Sequence, residues 1–192
     1  KEGDVLIGMP SSGVHSNGYS LVRNVVSHCG ASWEDAAPFE LNEERIERFN
    51  QGAITLGEVF LNPTRIYCDP VVDLIQDGPC ETNEIHGICN VTGGGLSNLL
   101  RLHDSLGWNI ATPLPILPEF EWIQQQGNVT DREMHRTFNM GCGMIIAVEA
   151  GVAGTVCSWL SERMDGCAII GEVVDNGHKV THSNPDVVFE HY

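Results

Sequence analysis

Apolar and polar positions follow several distinct rhythms along the chain. Asp4 to Met9 (DVLIGM) is a short apolar run ended by Pro10, the pattern of a buried strand. A Ser- and Gly-rich stretch, Pro10 to Gly18, comes next. YSLVRNVVSH then sets Leu21, Val22, Val25 and Val26 on one helical face, with Ser16 or Asn17 as N-cap and Gly30 past the end. Residues 31–52 are polar and acidic (Glu40, Glu43, Glu44, Glu47), which predicts a loop and a short exposed helix. Ile54 to Leu61 predicts another short helix, broken by Asn62-Pro63-Thr64-Arg65. PVVDLIQDG reads as a helix with Pro70 in its first turn and an end at Asp77-Gly78-Pro79.

His86 to Val91 (HGICNV) predicts a second strand. Thr92-Gly93-Gly94-Gly95 leads from it into LSNLLRLH, where Leu96, Leu99 and Leu100 have helical spacing. WNIAT predicts a strand and EFEWIQQQG a helix closed by Gly127. Thr130 to Glu133 has the form of a capping box opening a further helix. MIIAVE reads as a strand and AGTVCSWLSERM as a helix. AIIGEVVD and HKVTH read as two strands joined at Asn176-Gly177, a type I′ hairpin signal. Strands and helices mix without a strict βαβ rhythm or an internal repeat. The expectation is one α/β (α+β) domain, a mixed and partly antiparallel sheet covered by helices.

Composition narrows the function. The chain has 192 residues and is 42% hydrophobic, enough for one domain with a sizeable core. Against 26 acidic residues stand 10 Lys and Arg, a net charge of −16. Such a chain repels nucleic-acid backbones and anionic membranes, so neither is an expected partner. No apolar run approaches the ~20 residues of a membrane helix. The start at Lys1-Glu2-Gly3-Asp4, with neither Met nor signal peptide, suggests a piece of something longer. Seven scattered cysteines without a Cys-x-x-Cys pair suggest free thiols in a reducing, cytoplasmic compartment. The sequons Asn90-Val91-Thr92 and Asn128-Val129-Thr130 are then accidental.

Three segments hold candidate chemistry. In Pro10 to Gly18, a loop between strand and helix, Ser11, Ser12 and Ser16 supply hydroxyls, Gly13 and Gly18 let backbone approach an anion, Asn17 adds an amide, and His15 sits centrally. An ordinary capped turn would use the same residue types. Gly93, Gly94 and Gly95 after Thr92 suggest close approach of a ligand or of another backbone segment. In Phe138-Asn139-Met140-Gly141-Cys142-Gly143, Asn139 offers donors and acceptors beside glycines, and Cys142 reads as a small buried residue. The other histidines read as surface or satisfied residues. No G-x-x-x-x-G-K-[ST], H-E-x-x-H or G-x-S-x-G is present, nor any zinc-type cluster.

Taken with its flanks, the run from Gly3 through Pro10-Ser11-Ser12-Gly13-Val14-His15-Ser16-Asn17-Gly18 to Arg23 resembles the start of the C-terminal domain of the AIR synthetase family. Pro63-Thr64-Arg65-Ile66-Tyr67, His86-Gly87-Ile88 with Thr92 to Gly95, Phe138-Asn139-Met140-Gly141 and Ile170-Gly171-Glu172-Val173 follow in the family's order. No motif is placed in residues 31–60, and the match is loose between Leu102 and Arg136. The resemblance covers residues 3 to about 174 and implies a phosphoribosylformylglycinamidine cyclo-ligase of purine synthesis. It also implies ATP as co-substrate, an N-terminal domain holding most of the ATP and Mg2+, and a homodimer. On this reading His15 and Asn139 stabilise charge in the reaction. Ser11, Ser12, Gly13, Ser16, Asn17, Gly18, Thr92, Gly93, Gly94, Gly95, Met140 and Gly141 bind substrate or phosphate, and no residue here binds metal. Its rivals are related ATP-using enzymes (formylglycinamidine ribonucleotide synthetase, thiamine-monophosphate kinase, selenophosphate synthetase, a hydrogenase maturation factor) and a folded, non-catalytic half-site.

Overall fold

The structure, a computed structural model, describes residues 1–41 and 54–192. The acidic stretch from Glu43 to Glu47 lies outside them. Six strands form one mixed sheet in the order β2-β4-β1-β5-β3-β6. They are β1 (Val5–Pro10), β2 (Ile85–Asn90), β3 (Gly107–Ile110), β4 (Cys142–Val148), β5 (Ala168–Val174) and β6 (Val180–His182). β1 lies antiparallel between β4 and β5, β2 is antiparallel to β4, β3 is antiparallel to β5, and only β3 and β6 run parallel. The expected mixed α+β architecture is the one found.

The continuous apolar run in β1 follows from its central place. Leu6 joins the core on one face, while Ile7 and Met9 join the core on the other. Helices α3 (Cys68–Asp77) and α6 (Ala153–Ser161) cover the second face through Leu74, Val156 and Leu160. A 3₁₀ segment, Gly95–Arg101, covers the first through Leu96, Leu99 and Leu100. A third apolar cluster joins α1 (Tyr19–His28), α2 (Leu56–Phe60), α4 (Pro118–Gly127) and α5 (Asp131–Thr137). The loop residues Val14 and Met140 belong to this cluster, so it anchors two of the glycine-rich turns.

Local chemistry sets several boundaries. Thr55 and Glu58 form a reciprocal capping box at α2, with bonds of 2.7 and 3.2 Å. At α5, Thr130 Oγ1 accepts from the Glu133 amide at 3.3 Å. The N-cap of α1 is neither Ser16 nor Asn17 but Gly18, left-handed at φ 72° and with no side-chain cap bond. A Cβ there would run into the Phe138 ring, so close packing takes precedence over capping. Residues after Gly94 wind as 3₁₀ rather than α-helix. Ser97 Oγ and Asn98 Nδ2 each donate at 2.7 Å to a carbonyl three residues back, which favours the tighter turn.

The Asn176-Gly177 hairpin is not formed. β3 stands between β5 and β6, pairing Trp108 with both Val173 and Val180. Trp108 and Ile110 are buried there, and burying their surface outweighs the local turn preference. Asn176 still makes a turn, its Oδ1 accepting from the Lys179 amide at 3.1 Å. Among the described residues no helix is long and apolar enough to cross a membrane.

Candidate functional site

Topology gathers the three turns. β1 and β2 are both antiparallel to β4, so their C-terminal ends share a sheet edge with the start of β4. The turns 10–18, 91–95 and 138–143 leave that edge. Ser11 N donates to Gly141 O at 2.8 Å, and Val91 N donates to Gly143 O at 3.0 Å. Asn139 Nδ2 donates to Gly13 O at 2.8 Å, while its Oδ1 accepts from Gly141 N at 3.0 Å. A Cβ on Gly93 would lie 3.6 Å from Asn17 Oδ1, which places the second turn beside the first.

His15 is buried and left-handed at φ 56°, and Met140 is left-handed at φ 47°. That conformation costs a residue with a Cβ about 1–2 kcal/mol. His15 Nε2 accepts from the Ser12 amide at 3.1 Å, so the neutral ring carries its proton on Nδ1. Burial, helped by the Arg65 guanidinium, lowers its pKa to about 4. At neutral pH the ring is therefore a neutral donor, with little capacity to shuttle a proton. The Tyr67 ring lies 6.0 Å from it, and the Tyr67 hydroxyl donates to Pro10 O at 2.9 Å. Gly143 makes room for both, since a Cβ would strike the Tyr67 hydroxyl and come within 2.8 Å of His15 Cε1.

The predicted residues differ in what they leave available. Ser11 Oγ is buried with no hydrogen-bond partner. Ser12 Oγ donates to Pro63 O at 2.8 Å, and the exposed Ser16 Oγ lies 3.5 Å from Thr64 Oγ1. Thr92 Oγ1 donates to Asn98 Oδ1 at 3.3 Å. Gly93 is exposed, and a Cβ there would meet only Asn17 Oδ1, at ordinary contact distance. Gly94 lies against the Tyr192 ring, at 2.7 Å from its Cβ position, and a Cβ on Gly95 would run into His135 O. Gly141, left-handed at φ 93°, lies against Pro115 O. The Cys142 thiol is buried, and burial pushes its pKa up to about 12, so it is no nucleophile at neutral pH.

Sequence reasoning named no site role for Asn62 to Tyr67, although this segment is bonded to the first turn at several points. It also read His135 and His182 as satisfied residues. Their rings lie 4.8 Å apart and line, with Asn139 and Met140, a small apolar cavity behind the third turn. No glycine marks these positions, and only the fold brings them near. Among the described residues no group of three or more His, Cys, Asp or Glu could hold a metal ion.

The fold, a mixed six-stranded sheet with helices, is shared with solved structures of about twice this chain's length. The hydrogenase maturation protein HypE in complex with ATP aligns over 95% of this chain and 48% of its own, with a TM-score of 0.59 and 17% identity. The HypE–HypF complex gives a TM-score of 0.54. The chain belongs to the family described as AIR synthase related protein, C-terminal domain, which matches residues 1–183. A chloroplastic phosphoribosylformylglycinamidine cyclo-ligase of Arabidopsis thaliana is 42% identical over 186 residues, covering 94% of this chain and 42% of that protein. Enzymes of the same name from Crocosphaera subtropica (93% of this chain, 49% of that protein) and Methanosarcina acetivorans (93% and 46%) are 41% and 36% identical. The chain spans about half the length of the curated relatives it matches.

Proposed function

We propose that this chain is the C-terminal half-site of a phosphoribosylformylglycinamidine cyclo-ligase. In that reaction ATP phosphorylates the formyl oxygen of formylglycinamidine ribonucleotide. The amidine nitrogen then attacks the same carbon, loses a proton and closes the ring as phosphate leaves. The observation that carries the reading is the meeting of three turns at one sheet edge around a buried, unpartnered Ser11 hydroxyl. An orphan hydroxyl in a glycine-rich turn suits a phosphate or a substrate amide. The relatives' shared name supports the cyclo-ligase over the other ATP-using enzymes of this fold.

In this reading Ser11, Gly13 and the exposed Gly93 hold the ligand through hydroxyl and backbone. His15 donates from Nδ1 to charge developing on oxygen, and Asn139, whose amide ties Gly13 to Gly141, positions the turns. Most of the ATP, and Mg2+, belong to an N-terminal domain, and the parent is a homodimer. No step is assigned to a metal held by this chain. Seven unpaired cysteines suit a reducing compartment such as the cytoplasm.

Calorimetry tests the reading. The chain is expected to release or absorb heat with formylglycinamidine ribonucleotide and far less with ATP. Silence toward both would leave a folded, non-binding half. In the full-length enzyme His15→Ala is expected to slow cyclisation by about 10²-fold. An unchanged rate would remove His15 from the mechanism.

A further inference from the structure

A phosphorylated ligand meets a difficulty in this chain. The net charge is −16, and the turns offer partial charges only. At physiological salt, fields fade over a Debye length of ~8 Å, so one local cation can outweigh distant carboxylates. The structure supplies such a cation from a segment to which no site role was assigned above.

Asn62 to Tyr67 is clamped along the first turn. Asn62 Nδ2 donates to Ser12 O, Ser12 Oγ donates to Pro63 O at 2.8 Å, and Thr64 Oγ1 lies 3.5 Å from Ser16 Oγ. Tyr67 then bonds back to Pro10 at 2.9 Å. Arg65 is thus flanked on both sides by residues attached to the turn 10–16. Its charge is felt at His15, Tyr67 and Cys167, all buried. Asn62 is itself 4% exposed, and its Oδ1, like Ser11 Oγ, has no hydrogen-bond partner. Two orphan polar atoms, one on the turn and one on the segment bonded to it, point to a ligand with both donors and acceptors, not to a sealed core.

We propose that Asn62–Arg65 forms a fourth wall of the site, with Arg65 the cation that meets a phosphate group there and Asn62 Oδ1 the acceptor for a ligand N–H or O–H. The phosphate is that of the ribonucleotide or the one transferred from ATP. The choice between these rests on the function proposed above, whereas the anion site does not. Asn62 acts on the ligand directly and also holds Ser12 in place.

The test uses this chain with inorganic phosphate, formylglycinamidine ribonucleotide and ATP as separate titrants. Binding is read by calorimetry, and His15 protonation by NMR of its ring. Arg65→Gln is expected to weaken inorganic phosphate at least tenfold, in line with loss of a charge-assisted hydrogen bond. It should also raise the His15 midpoint while leaving it below the ordinary histidine value, because burial remains. Arg65→Lys keeps the charge without the planar fork, so it should cost roughly three- to tenfold in affinity and leave His15 unmoved. Should Arg65→Gln not fold, Arg65→Lys decides: the stated loss upholds the contact, and an unchanged affinity removes it. Phosphate that fails to bind the wild-type chain, or binds both variants equally, overturns the proposal. Arg65-dependent phosphate binding with no gain for the ribonucleotide keeps the anion site and sinks the cyclo-ligase reading. Tight ribonucleotide binding that ignores Arg65 does the reverse. Competition between ATP and phosphate identifies the nucleotide as the source of the group.

Discussion

The turns 10–18 and 92–95 look alike in sequence, both glycine-rich and both running from a strand into a helical segment, yet they use glycine for different ends. In the second, Gly94 and Gly95 let the chain lie against Tyr192 and His135, and only Gly93 is exposed, with no tight neighbour. In the first, side chains carry the chemistry: His15 is held left-handed, Ser12 is doubly bonded, and Ser11 Oγ has no partner. A run of glycines therefore marks close approach without saying to what. Most of the second turn is packing, while the first is a polar turn bonded along Asn62 to Tyr67.

This contrast can be broken by mutation. The largest effect belongs to Gly95→Ala. Position 95 is left-handed at φ 54°, and the new Cβ meets a backbone oxygen that cannot easily yield. A loss of about 3 kcal/mol or more is expected in urea unfolding. Gly93→Ala in the same turn should change little, and a large loss there would erase the distinction between the two positions. Next comes Asn139→Ala, which leaves Gly13 O and Gly141 N buried without their partner. About 2–4 kcal/mol is expected, and Asn139→Asp should not restore it, because a carboxylate cannot donate to Gly13 O.

Acid comes third. Burial lowers His15 and His182 to about 4 and also lowers His135, whereas an unfolded histidine titrates near 6.5. Between those values the unfolded chain binds protons that the folded chain refuses. Stability is therefore intact above pH ~6.5 and falls toward pH ~4, by up to about 1.4 kcal/mol per pH unit for His15, with His182 adding less because it is partly exposed and His135 acting in the same direction. His15, buried and lowered to about 4, carries the largest share, ahead of the partly exposed His182. Denaturation midpoints flat across this window would contradict the assigned burial.

The smallest stability effect belongs to Ser11→Ala. Removing an unpartnered hydroxyl should leave unfolding within about 0.5 kcal/mol of wild type. Ligand affinity should nonetheless fall. A marked loss of stability would mean that the hydroxyl has a structural partner.

Much of the fold was legible because its signals are local. The apolar run Val5 to Met9 is buried on both faces, the Val22, Val25 and Val26 spacing falls on the buried side of α1, and Thr130 caps α5 by accepting from the Glu133 amide. Asn176-Gly177 misled because a turn dipeptide fixes a bend and not a partner, and Trp108 brought β3 into the gap. The three turns could be named one by one, but their meeting depends on β4 pairing with both β1 and β2. Asn62 and Arg65, read only as a helix break and, for Arg65, as part of a family motif, received no site role for the same reason. Pro63, which ties their segment to Ser12, lies 51 positions from it, and no periodicity spans that distance.

The most direct test maps backbone amide shifts of this chain while formylglycinamidine ribonucleotide is added. The account predicts that residues 11–18, 92–95 and 139–141 move together with one binding constant. Shifts confined to a single turn, or gathered on the opposite end of the sheet, would contradict it.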